Sequence, residues 1–201
     1  MPNNPMNTDF VDKAARFAIT AHAGTERRGK GFPYVIHVME AAAIVASITN
    51  DPELIATAFL HDVIEDTEVT AETLRSEFGN RVTDLVLGES DIEMPELSEA
   101  ASWQARKQYA IDRLARQSRD AKIVALGDKL SNMRAIARDF DEIGDELWKR
   151  FHAPDPRLHQ WHYEKLAEVM KDLDDTAAYR EFVYLIHKTF SRAFQRQEDK
   201  S

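Results

Sequence analysis

Cysteine is absent from the 201 residues. That lack excludes disulfides, thiolate metal sites and a cysteine nucleophile, and it leaves nitrogen and oxygen as the donors for any metal. It also suits a reducing compartment, so a cytoplasmic protein is expected. Long apolar runs are missing too. No stretch approaches the ~20 residues that span a bilayer, and the polar, proline-bearing residues 1–7 have no signal-peptide core. Neither secretion nor a membrane partner is expected. Basic residues are outnumbered, 26 Lys and Arg against 35 Asp and Glu, and the net charge of −9 repels nucleic acid and anionic lipid over most of the surface. A nucleic-acid polymer is not expected as a partner, although a local basic patch can still hold a small anion.

What is present is helical periodicity. Apolar residues recur at helical spacing through Phe10, Ala14, Phe17, Ala18 and Ala21, and again through Ile36, Met39, Ala43 and Ile44 toward Ile48. Between these two helices lies Gly24-Thr25-Glu26-Arg27-Arg28-Gly29-Lys30-Gly31-Phe32-Pro33, whose glycines and proline predict a basic loop. Asp51 as N-cap and Pro52 at the first helical position start a helix through Leu54, Ala58 and His61. Thr70 caps a helix over residues 71–78, Gly79-Asn80 ends it, and Val82, Leu85 and Val86 begin another that gives out near Gly88. An acidic loop is expected over 89–99, then helices over 103–117, 121–140, 158–173 and 177–194, with a connection at 151–157. Only 122–126 hints at strand. The class is all-α, and with 43% hydrophobic residues the chain is long enough for one domain over 1–201, with 1–7 and 195–201 as tails.

Chemistry concentrates at His61-Asp62-Val63-Ile64-Glu65-Asp66. In a helical or near-helical conformation residues four apart share a face, so His61 sits over Glu65 and Asp62 over Asp66. The apolar stretch Ala56-Thr57-Ala58-Phe59-Leu60 makes this the end of a buried helix, where clustered carboxylates are expensive without a compensating cation. A divalent metal resolves that cost, because neutral imidazole and carboxylate suit manganese, iron or zinc. His61 and Asp62 cannot complete a shell, and His37 and Asp128 are the best further candidates. Each has an ordinary alternative: His37 as a hydrogen-bonded core histidine, Asp128 as a salt-bridge partner of Lys129 or Arg134, and the 61–66 segment as a solvated helix end.

Taken in order, His37, then His61-Asp62 with Glu65-Asp66, then Asp128-Lys129-Leu130-Ser131-Asn132, the set resembles the HD-domain hydrolases of the RelA/SpoT type, specifically the stand-alone small alarmone hydrolases. The resemblance runs from about Phe10 to Arg138. It includes Arg27-Arg28 before Pro33-Tyr34-Val35-Ile36-His37, and Trp103 with Arg106-Lys107. It implies a compact multi-helix bundle around a buried metal, with His37, His61, Asp62 and Asp128 as ligands and manganese as the usual ion. Glu65 and Asp66 would position and deprotonate the attacking water. The implied substrates are guanosine tetra- and pentaphosphate, from which the 3′-pyrophosphate is removed to give GDP or GTP and pyrophosphate.

Such an anion needs positive charge, which Arg27, Arg28 and Lys30 offer, and a guanidinium plane can also stack on a purine. Asn132, four residues after Asp128, would on a helix face the same pocket and hydrogen-bond ribose or base. Two departures touch nucleotide recognition: the loop is one residue longer around Gly29-Lys30-Gly31, and Ala135 stands where hydroxyl residues occur. Nothing after Asp128 is expected to hold synthetase or regulatory domains. Trp148, Trp161, His162 and Tyr163 are open between core, pocket wall and interface. The rival readings are a phosphatase for another nucleotide, such as the 2′-phosphate of NADPH, and a nucleotide-binding protein with little turnover.

Overall fold

The computed structural model of the chain describes residues 7–27, 29–89 and 99–198, with side chains for all of these except 99–102 and 195–198. Expectations for residues 1–6, Arg28, 90–98 and 199–201 lie outside the described residues. Nine α-helices are described: α1 (Thr8–Ala21), α2 (Val35–Ala46), α3 (Pro52–Leu60), α4 (Val63–Asp66), α5 (Ala71–Glu89), α6 (Glu99–Leu114), α7 (Arg119–Ile143), α8 (Pro156–Val169) and α9 (Ala177–Glu198). Among the described residues no strand forms, only an isolated antiparallel bridge of Glu26 with Pro33. No helix there is long and apolar enough to cross a membrane. The expected all-α class holds. The strand hint at 122–126 gives way to helix, because α7 buries Ile123 through Leu126 continuously.

The caps follow the local chemistry of the sequence. Asp51 accepts from the Glu53 amide at 2.9 Å with Pro52 just behind it, and the Thr70 hydroxyl accepts from the Thr73 amide at 3.2 Å. Inside α5, Gly79 takes φ 82° and ψ 176°, so the segment is two helical pieces joined at the glycine that the sequence marks as a stop. The last helix extends through Glu198, past the tail expected from residue 195.

Two compact units are resolved, Met1–Ser90 with Ser118–Asp128, and Asp91–Gln117 with Lys129–Ser201. In the first, α3 packs against α1, α2 and α5 around Ala14, Ala18, Val38, Ala56, Leu60, Val63, Leu74, Phe78, Val82 and Val86. Alanines on the facing helices let α1, α2 and α3 approach closely, which brings the ends of α2 and α3 together. The Arg81 guanidinium fastens this unit from outside. It donates to Asp51 and to Asp120 at 2.8 Å each, and to Glu53. It thereby ties the starts of α3 and α7 to α5. Arg81→Met is expected to cost about 1 kcal/mol, because three carboxylates then crowd without a counter-charge. Thermal unfolding at low and high salt checks this: the deficit should shrink as salt screens the carboxylates.

In the second unit the aromatic and histidine residues left open by the sequence are mostly core. Trp148 stacks on His159 and on Phe190, at 5.6 and 5.7 Å between centroids, and Trp103 packs against His159 and His162. The His159 Nε2–H donates to the Ala153 carbonyl at 2.7 Å, and burial holds its pKa below the ordinary value. Arg134 forks onto Glu181 with both contacts at 2.7 Å.

Candidate metal centre

Three helices of the first unit deliver the expected ligands to one point. α2 carries His37, 3% exposed. His61 caps the C-terminal end of α3 at 2%, and α7 brings Asp128 at 7%. The His37 Nε2 lies 3.1 Å from Asp128 Oδ1, and the His61 Nε2 lies 3.6 Å from the same oxygen. One ligand atom from each of these three residues falls within 4.8 Å of the others. Asp62 Oδ2 completes the cluster, 2.9 Å from His61 Nε2 and 3.7 Å from His37 Nε2.

The donor chemistry fits a divalent ion. His61 Nδ1 is 2.8 Å from the Ala58 carbonyl, which can only accept, so Nδ1 carries the proton and Nε2 points its lone pair into the cluster. That Nε2 is buried and has no hydrogen-bond partner; its approach to Asp62 is close but not aligned as a hydrogen bond. Two imidazoles and two carboxylates suit manganese, iron or zinc. Without an ion, protons take its place. Burial works to lower the His61 pKa, but Asp62 and Asp128 outweigh it and hold the ring protonated well above its ordinary range. Burial likewise opposes ionisation of Asp62, yet the His61 charge outweighs it and brings Asp62 down to about 2.

The 61–66 segment is near-helical, interrupted after the end of α3. α3 ends at Leu60, Asp62 adopts φ −100° and ψ −2°, and the short α4 starts afresh at Val63. The break turns Asp62 into the cluster, where its Oδ2 accepts from the Tyr34 hydroxyl at 2.6 Å. Asp66 still follows Asp62 by one turn, its amide donating to the Asp62 carbonyl at 2.9 Å, but Glu65 and Asp66 are exposed on α4 rather than buried. Asp66 still titrates high. Partial loss of hydration and the nearby Asp62 charge both raise its pKa, and together they prevail over the hydrogen bond from Tyr34.

The basic loop folds back on itself, with the Arg27 amide donating to the Phe32 carbonyl at 2.9 Å and the Lys30 amide to the Arg27 carbonyl at 2.9 Å. Gly29 and Gly31 supply the positive φ values, 70° and 69°, that this tight return needs. The Arg27 guanidinium stands over the Tyr34 ring at 5.5 Å from its centroid, so the loop is tied to the residue that holds Asp62. Lys30 is half-buried in the loop, and Arg28 lies outside the described residues. Asn132 lies on α7 one turn after Asp128, within the second unit.

Two residues escaped the sequence reading. Tyr34 contacts His37 edge-on at 5.6 Å, His22 at 4.9 Å, Arg27 and Asp62, which makes it the hub of this corner. Its signal was position alone, three residues before His37. His22, at the end of α1, is 2% exposed and neither ring nitrogen has a hydrogen-bond partner. Nothing separates it in sequence from an ordinary core histidine. A third feature is steric. A Cβ on Gly127 would lie 2.7 Å from Val45 Cγ2 and 2.9 Å from the Ala41 carbonyl oxygen. Glycine in a helix is otherwise unfavourable, so its use here is to let the Asp128 helix touch the His37 helix. Gly127→Ala is expected to cost about 1–3 kcal/mol and to open the His37–Asp128 contact. Thermal unfolding and metal titration should show both losses together.

Residues 14–153 match the family described as HD domain. Curated relatives include a GTP pyrophosphokinase of Streptomyces coelicolor, 32% identical over 63% of this chain and 14% of its own. A probable guanosine-3′,5′-bis(diphosphate) 3′-pyrophosphohydrolase of Synechocystis is 32% identical over 70% of this chain and 18% of its own. The chain thus spans less than a fifth of these relatives. A solved structure described as a metazoan ortholog of SpoT that hydrolyzes ppGpp superposes with a TM-score of 0.69 at 26% identity, covering 89% of this chain and 94% of that one.

Proposed function

This chain belongs to the HD domain family, and on that premise we propose that it is a manganese-dependent hydrolase that removes the 3′-pyrophosphate of guanosine tetra- and pentaphosphate. Water is consumed and the products are GDP or GTP with pyrophosphate. The observation that carries the proposal is the convergence of His37, His61, Asp62 and Asp128 on one buried point, beside a carboxylate with a raised pKa. A divalent ion held by these four residues would supply Lewis-acid charge that acidifies water and neutralises phosphoryl oxygen. The names of the relatives include both a pyrophosphokinase and pyrophosphohydrolases. The residues of this chain favour hydrolysis, because a carboxylate with a raised pKa beside the cluster can take the proton that water attack releases.

Each remaining side chain then has a task. Asp66, its pKa raised by partial loss of hydration and by the Asp62 charge, takes the proton of the attacking water, and Glu65 on the same short helix orients that water. Tyr34 fixes the Asp62 carboxylate through its hydroxyl. Arg27, Arg28 and Lys30 neutralise the phosphates, with Arg27 positioned over Tyr34, and Asn132 is assigned to the ribose or base. The same reading treats residues 1–201 as one hydrolase domain of the cytoplasm. Incubation with manganese and a panel of phosphorylated nucleotides, read by phosphorus NMR, tests it. Pyrophosphate from the guanosine 3′-pyrophosphates is expected. Orthophosphate from NADPH, or binding of the guanosine nucleotides without any turnover, would overturn the assignment.

A further inference from the structure

We propose that Tyr34 is a positioning residue for the substrate's phosphates: its ring face presets the Arg27 guanidinium, and its hydroxyl fixes that ring against Asp62. This rests on the hydrolytic reading above, which gives Arg27 the phosphates and Asp62 the ion. The backbone of Tyr34 is held on both sides. Its amide donates to the Thr25 carbonyl at 2.9 Å, and its carbonyl accepts from the His37 amide at 2.9 Å. The first bond closes the base of the basic loop, beside the bridge of Glu26 with Pro33. The second joins the exit of the loop to the first turn of α2, which carries His37.

The side chain is fixed in turn. The hydroxyl donates to Asp62 Oδ2 at 2.6 Å, and the ring lies against His22 at 4.9 Å and edge-on to His37 at 5.6 Å between centroids. Over this fixed ring stands the Arg27 guanidinium, 5.5 Å from the centroid. Attraction to a ring face consumes no N–H donor. It does restrict a long side chain before any anion arrives, and ordering such a side chain at the moment of binding otherwise costs about 2–10-fold in affinity. Phenylalanine would supply the platform and leave it without its bond to Asp62, and a short hydroxyl residue would supply no ring face. Tyrosine does both, so one side chain sets the spacing between the guanidinium and a metal ligand.

The test needs no turnover: calorimetry follows inorganic pyrophosphate, then guanosine tetraphosphate, binding to the full chain freed of metal. Tyr34→Leu should weaken both about 2–10-fold, and Tyr34→Phe, which keeps the platform, should recover part of the loss. In an Arg27→Met background Tyr34→Leu should cost nothing further, because the ring acts through Arg27. Asp62→Ala and Asp62→Asn remove the same charge, but only asparagine leaves an acceptor for the Tyr34 hydroxyl. Both anions should therefore bind Asp62→Ala about 2-fold or more weakly than Asp62→Asn. A merely structural tyrosine would lower thermal stability and leave these two comparisons flat. Equal binding to the two Asp62 variants, an equal loss from Tyr34→Leu with and without Arg27, or no anion binding by the wild type would overturn the proposal. If Tyr34→Leu does not fold, the Asp62 pair, which keeps Tyr34, decides. If the wild type hydrolyses nothing in the nucleotide panel while the affinities follow this pattern, the functional reading fails and the placement of Arg27 by Tyr34 stands.

Discussion

Asp62→Ala should empty the metal centre and silence turnover together. The carboxylate approaches the Nε2 atoms of both His61 and His37 through one oxygen, and the same oxygen accepts from Tyr34. If Asp62 holds the ion as proposed, losing it removes a ligand and the charge that balances the cation, and in any case the acceptor that holds a half-buried phenol in place. Loss of a partner behind a ligand typically costs 10–100-fold in metal affinity, about the least that loss of a ligand itself should cost. Metal analysis after dialysis should fall from one ion per chain to near none. Asp62→Asn serves as the folding control, because its amide oxygen still accepts from Tyr34 while the charge is gone; it should fold and still lose the ion. Retention of a stoichiometric ion in both variants would refute the assignment of Asp62.

The same cluster sets a pH dependence for the wild type. Without metal, His61 holds a proton well above its ordinary range, so uptake of an ion must expel that proton. Affinity should therefore rise with pH until His61 is neutral. Calorimetry in two buffers of different ionisation enthalpy should register about one proton released per ion. In the metal-free protein the sign runs the other way. His61, raised when folded, contributes stability that is complete below 6.5 and lost as pH rises through its folded pKa. Asp62, depressed to about 2, contributes stability that is present above 3.8 and lost as pH falls from there through about 2. Thermal unfolding of the metal-free chain against pH should decline on both sides.

The second large effect belongs to Asp66. Asp66→Asn should lower kcat by about 10²–10⁴-fold, the range of a lost proton acceptor, with metal content and KM unchanged. Glu65→Gln should also lose turnover and keep its metal. Stability separates Asp66 from a merely structural carboxylate. Its pKa is raised in the folded chain, so above that pKa the ionised group destabilises the native state. Asn carries no such penalty. Metal-free Asp66→Asn should therefore melt higher than wild type at neutral pH and show no advantage below 3.8, where the unfolded carboxyl is itself protonated. A stabilised but inactive variant is the signature of a strained functional group. A destabilised one would place Asp66 in the scaffold instead.

Local chemistry was legible in the sequence. Asp51 with Pro52, Thr70, and Gly79 each govern their own helix end, because a cap bonds amides two or three residues away and a positive φ concerns one residue. The ordered set His37, His61, Asp62 and Asp128 was legible as chemistry, since histidines and acids beside apolar helices demand compensation. Its convergence was not written locally. His37 and Asp128 stand 3.1 Å apart because Gly127 admits α7 against Ala41 and Val45. No periodicity along one helix reports which other helix it will touch.

The segment 61–66 carries both kinds of information. The sequence by itself determined its residue types, its place at the end of an apolar helix, and hence a metal-compatible cluster with nearby acids. Only the tertiary structure decided that the helix breaks after Leu60, that Asp62 turns inward to Tyr34, and that Glu65 and Asp66 are left at the surface. It alone brought His22 beside Tyr34. The reason is range: caps and helical faces arise from interactions within a turn or two, whereas the direction of a carboxylate is set by partners that the rest of the fold carries to it.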